Sequence, residues 1–109
     1  MNKYNARKVT YFGKTFDSER EGQRYLLLRD LEKKRQIRNL RTQVVFQLCP
    51  EHPEAKLRPL SYIADFVYEQ DGKTVVEDVK GYKKGAAWEL FVAKKKMLYD
   101  KYGILIHEI

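Results

Sequence analysis

The dipeptide Asp71-Gly72 constrains this chain more than any other feature. It separates two runs rich in β-branched and aromatic residues, 61–68 and 74–80. Asp-Gly between such runs signals a two-residue hairpin turn. With Asp71 and Gly72 as the turn, Gln70 pairs with Lys73, and counting outward sets Asp65 opposite Asp78. Opposed residues share a face, with Cβ atoms roughly 4.5–5.5 Å apart. Val76, Asp78 and Lys80 then lie beside Ile63, Asp65 and Val67, while Val75, Glu77 and Val79 point the other way.

Two carboxylates at that separation repel. Unless one binds a proton, they require a cation. Two hard oxygen ligands from adjacent strands suit Mg²⁺ (or Mn²⁺), which keeps several waters and leaves room for a phosphate. The neighbouring Lys80 would stabilise a pentavalent phosphate or position an attacking water. The competing reading is an exposed hairpin face with an Asp–Lys ion pair. The apolar neighbours Ile63, Val67 and Val76 weigh against it, because a solvated face is more often polar throughout.

The rest of the chain supplies a framework for this hairpin. At 109 residues, 43% hydrophobic and 13% aromatic, it suits one globular domain over 1–109. Residues 1–10 read as a flexible basic arm, and 11–16 as a short extended piece or turn. Ser18 is a good N-cap with Glu21 three residues on, and Tyr25, Leu28 and Leu31 follow at helical spacing. That helix is expected to reach about Arg35 or beyond. Residues 43–48 read as a strand and 49–59, with three prolines, as a loop. After the hairpin come a basic loop over 81–85, a helix over 86–102 ended by Gly103, and a final strand over 104–106. The order is α-β-β-β-α-β, an α/β domain with a mixed sheet flanked by helices.

The net charge of +7 is unevenly placed. Residues 1–41 hold 12 Lys/Arg against 5 Asp/Glu, whereas the remainder is balanced. Its densest part, Lys33, Lys34, Arg35, Arg38 and Arg41, favours phosphate backbones, or is simply a solvated helix face. Lys83 and Lys84 sit in the loop just beyond Lys80, placed to grip phosphates or to be solvated. Lys94 interrupts an apolar helical stripe and either snorkels outward or reaches a site. Gln43 opens a strand, and its position alone assigns it no role. Glu21 at N3 is favoured there as a capping residue in its own right.

Several chemistries are excluded. Cys49 and His52 have a metal-like spacing, but a structural zinc site needs four ligands and no second pair exists. No glycine-rich phosphate loop appears, so no nucleotide cofactor is expected. A single cysteine rules out an internal disulfide. No run approaches the ~20 apolar residues of a membrane span, and 1–14 lacks the apolar core of a secretory signal. A cytoplasmic protein without a membrane partner is expected.

Asp65 followed by Asp78-Val79-Lys80, in this element order, resembles the signature of the PD-(D/E)XK nuclease superfamily. Closer still, the chain is similar to small phage and prophage proteins within that superfamily. Ser18-x-x-Glu21-x-x-Arg24-Tyr25, Gln43-x-x-Phe46-x-Leu48, Tyr62-x-Ala64-Asp65-Phe66, Glu77-Asp78-Val79-Lys80-Gly81 and Phe91-x-x-Lys94-x-Lys96 carry the likeness. Ala64 stands where the superfamily's proline would be. The resemblance implies a restriction-endonuclease-like core and a Mg²⁺-dependent DNA endonuclease. In it Glu21, Asp65, Asp78 and the Val79 carbonyl would hold metal, Lys80 would complete the catalytic set, and Lys94 would make a phosphate or active-site contact. Gln43 matches the family's glutamine, an accessory position. The chain is near the minimal core, so substrate choice must come from its own surface or a second subunit. Similar small members resolve Holliday junctions as homodimers. Branched or junction DNA and a homodimer are therefore expected, in the host cytoplasm if phage-encoded. The alternatives are a nickase or partner-recruited nuclease, or a non-catalytic DNA-binding protein on the same fold.

Overall fold

The computed structural model describes residues 7–80 and 83–109. Two helices and a mixed sheet make a small α/β domain. The elements are a hairpin of β1 (Val9–Tyr11) and β2 (Lys14–Phe16), then α1 (Glu19–Lys33), β3 (Arg38–Cys49), β4 (Leu60–Gln70), β5 (Lys73–Asp78), α2 (Gly85–Tyr102) and β6 (Ile106–Glu108). The main sheet has the order β3-β4-β5-β6. Its first three strands are antiparallel, and β6 runs parallel to β5 with α2 as the crossover.

The β4–β5 turn forms as the Asp-Gly dipeptide requires. Asp71 and Gly72 both take positive φ, +53° and +76°, the two-residue turn whose twist matches its strands. Pairing runs from Gln70↔Lys73 through Val67↔Val76 to Phe66↔Glu77. The next step outward in this register is Asp65 beside Asp78.

Each helix buries one side of the sheet. The Ser18 hydroxyl caps α1 by accepting from the Glu21 N–H at 3.1 Å. Tyr25 and Leu28 then pack with Phe16, Ile37, Phe66 and Tyr68. The Tyr25 ring lies 4.9 Å from Phe16 and 6.4 Å from Phe66. Gly22 lets the N-terminal hairpin close on α1, since a β-carbon there would come within 2.5 Å of Val9 Cγ2. On α2, Phe91 and Leu98 pack with Tyr62, Ala64, Val67, Val76 and Ile106. Gly103, at φ +69°, ends α2 with its N–H on the Tyr99 carbonyl. No helix among the described residues is long and apolar enough to cross a membrane.

The structure corrects the sequence reading at four places. Part of the expected flexible arm, Val9 and Thr10, belongs to β1, and the extended piece at 11–16 is the rest of that hairpin. Residues 1–6 lie outside the described residues, as do Gly81 and Tyr82 of the expected basic loop. The stretch 33–41 is not one basic helix face. Lys33 ends α1, Lys34 is its C-cap, and Arg35 at φ +61° turns the chain. Arg38 and Arg41 then pair in β3, five residues before the expected start of that strand. The last strand is shifted to Ile106–Glu108, where β5 offers it a parallel partner.

Candidate active site

The open end of the β4–β5 hairpin gathers most of the sequence candidates. Asp65 leaves β4 there and Asp78 ends β5. The Val79 N–H donates to Asp65 Oδ2 at 2.8 Å, which holds the first carboxylate against the second strand. Asp78 Oδ2 accepts from the Tyr62 hydroxyl at 2.9 Å and lies 3.2 Å from Lys80 Nζ. Each aspartate thus has one oxygen fixed by protein donors. Lys80 Nζ also sits 4.0 Å from the centre of the Phe91 ring, so its position is fixed from two sides.

Gln43 joins the third acid to the pair. Its side-chain amide donates to Glu21 Oε1 at 3.2 Å and approaches Asp65 Oδ1 at 3.4 Å. Gln43 does so from φ +53° in the middle of β3, a region that non-glycine residues enter at a cost of about 1–3 kcal/mol. Strand alternation also changes at this level. Tyr62 and Ala64 pack with the α2 cluster, whereas Phe66 and Tyr68 pack with the α1 cluster. An unbroken strand would put all four on one face. The Gln43–Asp65 step is also missing from the ladder between Thr42↔Phe66 and Val44↔Ala64. The strand is irregular where Asp65 sits, and its carboxylate meets Gln43 of β3 as well as the Val79 N–H beyond β5.

The first two turns of α1 carry Glu21 to the site. Arg24 donates through Nε to Glu77 Oε1 at 2.7 Å and through Nη2 to Oε2. The Tyr68 hydroxyl donates to the same carboxylate. One turn earlier, Arg20 Nη1 donates to the Lys80 carbonyl at 3.1 Å. Arg20 and Arg24 therefore clamp α1 along β5, and Glu21 between them is buried beside Asp65. Glu77 faces away from the aspartates, as the hairpin register requires.

Burial raises the proton affinity of all three acids. Asp78 is pushed up to about 7, first by burial and then by its hydrogen bond and charge contact with Asp65; Lys80 and Tyr62 oppose the shift. Asp65 is raised by burial and by Glu21, against its hydrogen bonds with Asp78 and the Val79 N–H. Glu21 is raised chiefly by burial. The Tyr62 phenol is pushed far above its ordinary value by burial and Asp78, so it remains a donor.

Among the described residues, no three Asp, Glu, His or Cys side chains are gathered closely enough to enclose a metal ion in this conformation. The donors still fit a hard divalent ion of the kind that takes one or two carboxylates and completes its shell with water. Asp65 and Asp78 are side by side and buried, both with raised proton affinity, the condition a cation relieves. Glu21 is held to Gln43 at the edge of this pair.

The acids open into a cleft of about 360 Å³ whose walls include Tyr62, Ile63, Lys80, Leu90, Phe91 and Lys94. Lys94, on the α2 stripe, is thereby at the site. Lys83 lies 3.9 Å from Glu108 and near the Trp88 ring, and the exposed Lys84 is the N-cap of α2. The densest basic group is elsewhere. Arg35 and Arg38 line a separate hollow with Glu69, Asp71 and Gly72, at the turn end of the hairpin. Five strand residues separate that end from the acids, roughly 17 Å. Lys34 pairs with Asp30 at 2.9 Å.

Sequence reasoning gave no role to Tyr62, because strict alternation puts it on the face opposite Asp65. The change of alternation at Asp65 was not visible in residue types. Arg24 was visible as a charge three residues after Glu21 on the buried side of α1.

No curated protein and no solved structure matches the chain. A family model described as "Protein of unknown function (DUF1064)" matches residues 1–107, and the chain belongs to that family.

Proposed function

We propose that this protein is a metal-dependent DNA endonuclease with a PD-(D/E)XK-like core, selective for branched DNA such as a four-way junction. One observation carries the reading. Asp65 and Asp78 meet at a cleft with Lys80 Nζ 3.2 Å from Asp78. The order of α1, β3, β4, β5, α2 and β6 behind the β1–β2 hairpin supports the reading.

Asp65 and Asp78 would hold Mg²⁺ or Mn²⁺, with Glu21 and the Val79 carbonyl at its edge. When bound, the ion would supply charge neutralisation at the scissile phosphate and a more acidic water. The chain's own residues do the rest. Tyr62 keeps Asp78 oriented with one oxygen turned to the shared space. Gln43 holds Glu21 next to Asp65. Lys80, steadied by Phe91, presents its ammonium to a phosphate oxygen or orients the attacking water. Lys94, Lys83 and Lys84 offer phosphate contacts around the cleft. Arg35 and Arg38, at the turn end of the hairpin, would meet a DNA arm about five base pairs from the cut, at 3.4 Å per step; Lys33 and Lys34 at the end of α1 would add to that contact, and Arg41, opposite Val67, would lie nearer the acids. A homodimer would present two such sites to a symmetric junction.

Cleavage of a labelled four-way junction beside a linear duplex of matched sequence, in Mg²⁺, tests the reading, with Asp78→Ala as control. Paired cuts in the junction that vanish in the variant support it. Cutting of both substrates alike removes the branch selectivity. Binding without cutting in Mg²⁺ or Mn²⁺ overturns the nuclease and leaves a DNA-binding protein.

A further inference from the structure

The cleft beside the acids has an apolar wall that hydrolysis of a phosphodiester does not require. Ile63 is 53% exposed and Leu90 50% exposed, and both line it. Val45, 62% exposed, pairs with Ile63 across β3 and β4 and extends the surface. Single exposed apolar residues are ordinary on a protein surface. Ile63 and Leu90 line one cleft together with Asp65, Asp78, Lys80 and Lys94.

An intact duplex offers such a wall only groove edges such as thymine methyls. Its outer surface is phosphate and sugar, and its bases are stacked inside. A nucleotide next to a branch point can leave the stack, and its base and deoxyribose then have apolar faces to bury. The cleft separates the two chemistries of that nucleotide. Lys80 and Lys94 are the cations for its phosphate, and Ile63 and Leu90 the surface for its base. Its volume of about 360 Å³ falls in the range of small-molecule pockets.

Resting on the nuclease reading above, we infer that Ile63 and Leu90 form a specificity surface that receives an unstacked nucleotide flanking the scissile phosphate. Selection of branched over continuous DNA then comes from this wall, within one subunit. Both side chains are half in solvent, so polar replacements leave the core clusters intact.

The test is a four-way junction carrying 2-aminopurine beside the branch point, bound to protein carrying Asp78→Asn so that the DNA stays whole. Fluorescence of that base rises when it unstacks, whether or not the protein cuts. The inference expects a rise with Ile63 and Leu90 intact. It expects loss of the rise and about tenfold weaker junction binding with Ile63→Ser or, separately, Leu90→Gln. Linear duplex binding should be unchanged in both. An equal rise in the variants, or an equal loss of duplex and junction binding, overturns it. So does a shift from dimer to monomer in sedimentation, which would make the wall a self-association surface. Failure of the nuclease reading shows separately, as wild-type protein that cuts no DNA in Mg²⁺ or Mn²⁺.

Discussion

Glu77 and Asp78 are neighbours in sequence, both acidic and both buried, at 1% and 4% exposure. Their surroundings are opposite. Glu77 meets a bidentate guanidinium and a phenol on the α1 side. Asp78 is desolvated by burial and meets a second aspartate, and its lysine and tyrosine only partly offset the two. The first acid has all it needs from the protein. The second is left with an electrostatic demand that a cation from outside would meet. A buried charge becomes structural or functional according to whether the fold supplies its counter-charge.

The two acids still depend on one another. The Arg24–Glu77 pair docks the start of α1 on β5, and that docking sets Glu21 beside Asp65. Breaking the compensated side should have the largest effect. Arg24→Ala leaves Glu77 buried without its cation and should cost about 3–5 kcal/mol, read as a lower urea midpoint. A loss under about 1 kcal/mol would show that Glu77 is less dependent on Arg24 than the geometry requires.

Removing the uncompensated charge should act in the other direction. Unfolded, Asp78 gives up its proton near its ordinary 3.8; folded, near 7. Between those values unfolding releases a proton, so the folded state loses stability as pH rises. Asp78→Asn should therefore stabilise the metal-free protein by about 2 kcal/mol at pH 8 and change little near pH 4. Equal effects at both pH values would contradict the raised proton affinity of Asp78.

The smallest contrast uses the two buried phenols. Tyr62→Phe and Tyr68→Phe each remove one hydrogen bond to a carboxylate, about 1 kcal/mol apiece in thermal melts. Only Tyr62→Phe should also weaken stabilisation by Mg²⁺, because only Tyr62 orients Asp78. The same Mg²⁺ response in both variants would reduce Tyr62 to packing.

How much of this was legible depended on the range of the forces involved. The hairpin register was readable because Asp71-Gly72 fixes it locally and every later pair follows by counting. The N-cap at Ser18 and the stop at Gly103 were readable for the same reason. The β1–β2 hairpin was not, since three-residue strands carry little periodicity and Gly22's close contact with Val9 is tertiary. Helix pattern was extended too far into 33–41, because basic residues suit a helix surface and an edge strand alike. Pairing of Arg38 and Arg41 with β4 decided the matter from outside the segment. The roles of Gln43 and Tyr62 hang on a backbone irregularity at φ +53° and on the change of alternation at Asp65, which no residue type in β3 or β4 announces.

The most direct test of the unmet charge at Asp65 and Asp78 is the melting temperature at pH 8 as Mg²⁺ is raised, for wild type and Asp78→Asn side by side. Wild type should gain stability that rises with the logarithm of Mg²⁺ once this exceeds the dissociation constant, about 2.7 kcal/mol at a hundredfold excess, and Asp78→Asn should stay flat. A flat wild-type curve, or parallel gains in both proteins, would contradict a cation site at these aspartates.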